Sequence, residues 1–358
     1  MKICHIVESF GGGVFYAICQ IANEQIAQGH SVIIVYSKRW DTPSNYKDNF
    51  SKDILFLQIN MSVGINIKGQ VVLLKTLKKI IKENYPDIIH AHSSIAGFYS
   101  RMLLQKKGKL FYTPHGLGFL RKDVFLVFRI IFLFFEKIAH KMGGSIIACS
   151  NSEFSEIRQK ISSEKIYLLP NVVPTDTLKE YKIIKRNTKN TIVMAGRISP
   201  QKNSSLFIDI KKRLDESNVN ANYIWFGDGD INMKRELINN GISVTGILER
   251  KELWRELSKS TIFLQTSLWE GMPLTLMEAQ CIGLPIVANK ATGNVDVIKH
   301  NINGYIFNSI SDAVKILMEL LDDNTLWDKF SINSRKYALN KYNVFNYINK
   351  LHDIYLSK

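Results

Sequence analysis

Residues 2–37 read KICHIVESFGGGVFYAICQIANEQIAQGHSVIIVYS, and the segment changes physical character three times. An apolar run ends at Val7, three glycines follow at 11–13, the next residues carry apolar side chains at helical spacing, and a second apolar run begins at Ser31. Strand, glycine turn, helix and strand in that order form a βαβ unit, whose crossover makes its strands parallel. The alternation continues with VVLLKTLKKIIKEN (71–84) as a helix, then DIIHAH (87–92), KLFYTP (109–114) and SIIACS (145–150) as strands. It restarts with TIVMAGRI (191–198), ANYIWFGDGD (221–230), ISVTGI (242–247), TIFLQTS (261–267) and LPIVANK (284–290), separated by helical segments.

At 358 residues the chain exceeds one ordinary core, so two domains are expected. The restart sets them: an N-terminal α/β domain over 1–170 and a C-terminal one over 191–341, with the polar stretch 171–190 as linker. The segment YNVFNYINKLHDIYLSK (342–358) has the spacing of an amphipathic helix. Sheets of this kind bind ligands at the carboxyl ends of their strands, and each motif below directly follows an expected strand. A content of 46% hydrophobic and 22% charged residues fits a globular protein and excludes a disordered one.

Cys4, Cys19, Cys149 and Cys281 are widely spaced, with no C-x-x-C pair, which favours buried thiols over a disulfide frame or zinc site. The N-terminus enters a strand at once and leaves no room for a signal peptide. No apolar run reaches the ~20 residues needed to span a bilayer, so a cytoplasmic location is expected. Of the net charge of +15, residues 1–170 carry +10, from 22 Lys/Arg against 12 Asp/Glu. Such a basic half favours anionic partners: lipid, nucleic acid or phosphorylated substrates.

The glycine loop lets backbone amides approach a phosphate or sugar at a helix N-terminus. A tight turn without ligand is the equal alternative, and the G-x-G-x-x-G dinucleotide fingerprint is absent. TPHGL (113–117) sets His115 between a strand end and a glycine, a position that favours a site role. HAH (90–92) has the form of a metal pair, but without acidic or cysteine ligands nearby the expectation is strand-end packing and no metal. AGRISPQKN (195–203) supplies Arg197 and Lys202, a forked donor and a point charge able to clamp a diphosphate. FGDGD (226–230) can hold a divalent cation in principle. Following YIWF, it better suits a strand-to-helix turn with Asp230 at the helix start.

WEGMPLTLMEA (269–279) then reads as a loop entering a helix that Gly283 ends, with Pro273 in its first turn. Glu270 projects from the loop and Glu278 lies about a turn into the helix. The backbone around Met272, Pro273 and Leu274 faces an incoming anion. Carboxylates repel phosphate but accept hydrogen bonds from sugar and ribose hydroxyls. The two acids therefore read as hydroxyl binders flanking a phosphate site.

Taken in order, the glycine loop, HG, AGR…K, FGDG and EGMPLTLMEA…GLPIVA resemble the retaining glycosyltransferases of family four, and the likeness spans nearly the whole chain. The spacing of Glu270 and Glu278 matches that family's E-x7-E motif. The resemblance implies a GT-B fold, α/β, with two Rossmann-like domains facing a cleft and the last helix (342–358) crossing back onto the first domain. It implies a nucleotide-sugar donor held mainly by the second domain. Arg197 and Lys202 would neutralise the diphosphate, Glu278 would bind the ribose and Glu270 the transferred sugar. Gly12 and Gly13 would approach the donor from the first domain, with His115 near the reacting carbon. Gly227 and the turn of Thr245, Gly246 and Ile247 would lie near the base. Transfer would proceed with retention and without metal or other cofactor, the leaving diphosphate accepting the acceptor's proton. UDP is the expected nucleotide and an N-acetylhexosamine the expected sugar. Two departures bear on acceptor contacts: Asp296 stands where relatives often carry glutamate, and the glycine loop continues into apolar Val14 and Phe15.

The segment FLRKDVFLVFRIIFLFFEKIAHKMGG (119–144) is apolar, aromatic and flanked by Arg121, Lys122, Lys137 and Lys141. It fits either a helix lying in the interface of an anionic membrane or a helix buried on the first sheet; the basic half favours the former. Related enzymes extend a polyprenyl-diphosphate-linked acceptor on the inner face of the plasma membrane, building O-antigen or capsule, and peripheral attachment there is expected. The rivals are a nucleotide-sugar epimerase on the same fold and a non-enzymatic basic protein binding membrane or nucleic acid. No helix-turn-helix, zinc-finger or RNA-binding signature supports nucleic acid.

Overall fold

The computed structural model describes residues 1–61, 66–103, 109–161, 165–183, 186 and 189–357. The chain divides into two compact units, Met1–Asn171 with Val344–Lys358, and Val172–Asn343.

Seven strands form the first unit's sheet: β1 (Lys2–Val7), β2 (Ser31–Tyr36), β3 (Leu55–Gln58), β4 (Ile88–His92), β5 (Lys109–Thr113), β6 (Ser145–Ala148) and β7 (Ile166–Leu168). They run parallel in the order β3-β2-β1-β4-β5-β6-β7. Parallel strands joined by helical crossovers are buried on both faces and so read as continuous apolar runs. Cys4, Ile6, Ile33, Val35, Ile89 and Ala91 fill one face, while Val7, Val32, Ile34 and Tyr36 fill the other beneath helix Gly12–Ala27. The helix Val344–Leu356 belongs to this unit and buries Tyr347, Ile348, Leu351 and Tyr355, the stripe its periodicity defines.

In the second unit six parallel strands, β8 (Thr191–Ala195), β9 (Asn222–Phe226), β10 (Ser243–Val244), β11 (Ile262–Gln265), β12 (Ile286–Asn289) and β13 (Tyr305–Phe307), follow the order β10-β9-β8-β11-β12-β13. The core is built on Ile192, Met194, Phe207, Trp225, Leu264 and Phe330.

The structure corrects several expectations. β3, β7 and β13 are three or four residues long and too weakly patterned to stand out in sequence. The polar stretch 171–190 is not a free spacer. The second unit begins at Val172, Thr175 and Leu178 are buried in a short helix, and the Ile183 amide donates to the Ile282 carbonyl at 3.1 Å; residues 184–185 and 187–188 lie outside the described residues. The last helix starts at Val344 rather than 342, because Tyr342 is buried in the second unit with its hydroxyl on Gln280 Oε1 at 3.2 Å. Pro273 caps helix Leu274–Ile282 instead of occupying its first turn. All four cysteines are buried and none is bridged; burial pushes the Cys4 thiol up to about 12.

Candidate functional site

Strand order in the second sheet reverses between β8 and β11, and at such a point the two outgoing loops separate to opposite faces and leave a crevice at the carboxyl edge. The loop after β8 carries Arg197 and Lys202; the loop after β11 carries Glu270, Met272 and Pro273 and leads into the helix that Leu274 opens. Lys202 Nζ donates to Glu270 Oε1 at 2.7 Å, and the two side chains are only 13% and 9% exposed. Gln265 Nε2 reaches the same oxygen at 3.3 Å, and Gln201 Nε2 reaches Glu270 Oε2 at 3.3 Å and the Trp269 carbonyl at 2.9 Å. Donors therefore surround this carboxylate, as burial of a charge requires. Behind it, Gly293 (φ 83°) admits the Glu270 loop: a Cβ there would lie 2.7 Å from the Gly271 carbonyl oxygen and 2.8 Å from Glu270 Cβ.

Glu278, the fifth residue of helix Leu274–Ile282, is 1% exposed and forms an ion pair with Arg250, the first residue of helix Arg250–Ser258. Burial raises its carboxyl above the usual range, and Arg250 pulls it back. Gly227 (φ 149°) brings the end of β9 against the β8 loop, where a Cβ would sit 2.1 Å from the Gly196 carbonyl oxygen. It also bridges Gly246, so Thr245, Gly246 and Ile247 adjoin it at the same edge. FGDGD is a strand-to-helix turn. Asp228 pairs with Lys234 at 2.9 Å, and Asp230 caps helix Ile231–Asn239 through the amides of Asn232 and Met233 at 2.9 and 3.0 Å. Sequence reasoning missed Arg250, Gln201, Gln265 and Gly293; the only signal was that each lies close to a strand's carboxyl end.

In the first unit the order reverses between β1 and β4. Gly12 and Gly13 open the helix after β1 and are exposed, whereas His115 follows β5 in a left-handed conformation (φ 55°), with the Gly116 amide held by Glu153 Oε1 at 3.0 Å. Register places His5 beside His90 and Val7 beside His92, and all three histidines are fully buried. Their ring nitrogens lie close enough together to hold a metal ion, but every one already has a protein partner. His5 meets Gln25 Oε1 at 2.8 Å and His92 at 3.0 Å, His92 meets His115 Nε2 at 3.1 Å, and His90 meets the Tyr355 hydroxyl at 2.7 Å and Thr113 Oγ1 at 2.8 Å. The cluster is a hydrogen-bond network, with no lone pair left to ligate. Burial holds His5 and His115 down at about 4, and burial with neighbouring imidazoles holds His90 and His92 well below the ordinary imidazole range.

Helix Leu126–Lys141 packs Phe132, Leu133 and Ala139 inward and leaves a broad apolar face exposed. Its inward face carries Glu136, which binds Arg101 Nη2 at 2.9 Å and accepts from the Tyr112 hydroxyl at 2.9 Å. Outward it presents Leu126, Val127, Phe128, Ile130, Ile131, Phe134 and Phe135, preceded by Phe125 at 80% exposed. Burial of this segment on the sheet, one of its two expected fates, is thus confined to a narrow stripe. Among the described residues no helix is long and apolar enough to cross a membrane.

Comparison with known proteins adds the following. Residues 11–177 match the family described as Glycosyltransferase Family 4, and residues 177–337 match Glycosyl transferases group 1. The chain is 30% identical over 330 residues to the UDP-Gal:alpha-D-GlcNAc-diphosphoundecaprenol alpha-1,3-galactosyltransferase of Escherichia coli, covering 83% of this chain and 81% of that protein. It is 29% identical, over the full length of both, to an uncharacterized 41.2 kDa protein in the cps region of Klebsiella pneumoniae. Among solved structures, the Anabaena protein HepE in complex with UDP and glucose superposes with a TM-score of 0.79 at 16% identity, covering all of both chains.

Two outcomes are expected from this geometry. Lys202→Met strands the Glu270 carboxylate in a buried position and should cost about 3 kcal/mol; adding Glu270→Gln should recover most of it. Denaturant unfolding of the four proteins checks this, and strictly additive costs would show the pair to be uncoupled. The second concerns acid. The unfolded histidines take up protons near their ordinary 6.5, while folded His5 and His115 resist until about 4. Stability is then complete above about pH 6.5 and falls as pH drops from there toward about 4. Melting temperatures flat across that window would contradict it.

Proposed function

The chain belongs to the glycosyltransferases that join a family 4 domain to a group 1 domain, and from this premise we propose that it moves a sugar, with retention at the anomeric carbon, from a UDP-sugar to a saccharide on a lipid diphosphate. The product is a precursor of a surface polysaccharide, and the enzyme works as a peripheral protein at the cytoplasmic face of the plasma membrane. One observation carries the donor assignment: Lys202 and Glu270 meet at 2.7 Å on the switch point of the second sheet. A cation for diphosphate there adjoins an acceptor for sugar hydroxyls. Arg197 and Lys202 stabilise the charge growing on the departing diphosphate, which takes the acceptor's proton on the face under attack. Glu270 reads the hydroxyls of the transferred sugar and is not a nucleophile. Glu278 shares its carboxylate between Arg250 and the ribose, the backbone at Met272, Pro273 and Leu274 faces the phosphates, and Gly227 with Thr245, Gly246 and Ile247 flanks the base. In the first unit Gly12, Gly13 and His115 serve the reacting end. The carboxylates of FGDGD are given no metal in this reading, since Asp228 pairs with Lys234 and Asp230 caps a helix.

The Escherichia coli relative, by its name, uses UDP-Gal and a GlcNAc-diphosphoundecaprenol acceptor, and the Klebsiella relative is encoded in a cps region. The first favours a lipid-linked acceptor and the second a capsule-type product, with galactose beside an N-acetylhexosamine as the sugar to test first. The outward apolar face around Phe125, Phe128 and Phe134, with Lys122, Lys137 and Lys141 close by, suits the interface of an anionic bilayer.

Purified protein incubated with UDP-Gal, UDP-GlcNAc or UDP-GalNAc, with and without polyprenyl-diphosphate-GlcNAc, should release UDP only with acceptor and give a product one sugar heavier by mass spectrometry. Glu278→Ala should weaken donor binding roughly 10- to 100-fold, since hydrogen bonds to a charged group contribute about 1.5–3 kcal/mol, and Glu270→Ala should mainly lower turnover. Normal behaviour of both variants, or donor conversion without acceptor, would overturn the assignment. At low salt the protein should float with phosphatidylglycerol vesicles, and Phe128→Ser with Phe134→Ser should abolish flotation; wild type remaining in the supernatant would refute membrane docking.

A further inference from the structure

The buried imidazoles of the first unit form a directed chain that ends at a candidate reaction residue. A neutral imidazole has one N–H and one lone pair, so each ring in a row of such hydrogen bonds donates on one side and accepts on the other. Protonating any interior ring would set two N–H groups against each other. Burial keeps all of these rings neutral near pH 7, so direction is set wherever the row meets a group of fixed polarity. That group is Gln25, on helix Gly12–Ala27, whose Oε1 can only accept and lies 2.8 Å from His5 Nε2. Its side chain also interacts with the Tyr355 hydroxyl of the last helix.

The consequences propagate ring by ring. His5 Nε2 carries the hydrogen, which leaves His5 Nδ1 as acceptor 3.0 Å from His92 Nε2. His92 Nε2 must then be protonated, which leaves His92 Nδ1 as acceptor 3.1 Å from His115 Nε2. His115 Nε2 carries the last hydrogen, and its Nδ1 keeps a lone pair. We propose that Gln25, His5 and His92 are positioning residues that lock His115 in the Nε2–H tautomer, so that Nδ1 serves as a fixed hydrogen-bond acceptor for a substrate hydroxyl. The left-handed backbone at His115 and the Glu153 bond to the Gly116 amide hold the ring at the end of the row. The use of Nδ1 by a sugar hydroxyl rests on the glycosyltransferase reading; the tautomer itself does not.

Long-range proton–nitrogen NMR of the ¹⁵N-histidine-labelled full chain reads the tautomer without substrate, His115→Asn identifying its signals among the eight histidines. Nε2 should be protonated and Nδ1 bare at neutral pH. Gln25→Leu should give a mixture of both tautomers and lower kcat with donor KM little changed. A wild-type His115 protonated at Nδ1 or already mixed would overturn the proposal, as would an unchanged pattern in Gln25→Leu. If Gln25→Leu fails to fold, the wild-type tautomer still decides. A correct tautomer in a protein without transferase activity would leave the lock standing and remove only its use.

Discussion

A parallel sheet cannot leave a face in water without exposing apolar side chains, and its crossovers return every strand to the same direction. Both consequences govern this molecule. Each unit must cover two faces with helices, and every strand must end at one edge, so loops with chemistry-bearing residues collect there. Lys202 and Glu270 are 68 positions apart and meet because β8 and β11 are neighbours in the sheet. His5 and His92, 87 positions apart, meet because β1 and β4 are.

Polar groups inside these units follow a second rule, that a buried charge or ring nitrogen needs a partner. Glu270 has Lys202 and two glutamines, Glu278 has Arg250, and Glu136 has Arg101 and Tyr112. The last of these involves the helix Leu126–Lys141. Its inward positions hold Glu136 and Ala139, with Phe132 and Leu133 packed against the core, and the remaining large apolar residues are left outside. The Glu136–Arg101 pair thus lies inward on the same helix that exposes Phe128, Ile130 and Phe134.

Membership in the glycosyltransferases follows from the two family matches and the Escherichia coli relative. The two-sheet α/β GT-B fold follows from topology and from the likeness to solved structures such as HepE. Glycines at Gly227 and Gly293 show how tightly the second unit's loops are drawn together, since a single Cβ at either would meet backbone oxygen below 3 Å.

The sequence by itself determined the α/β class, the two-part organisation, the turn nature of FGDGD and the loops carrying Arg197, Lys202, Glu270 and His115. These are local properties, set by periodicity, by glycine and by what directly follows a strand. Only the tertiary structure decided strand order, the short edge strands β3, β7 and β13, the Arg250 partner of Glu278, the outward aromatic face and the imidazole row from Gln25 to His115. Each depends on which distant strands and helices become neighbours. That choice is made by burial of whole faces, so no short window of residues carries it.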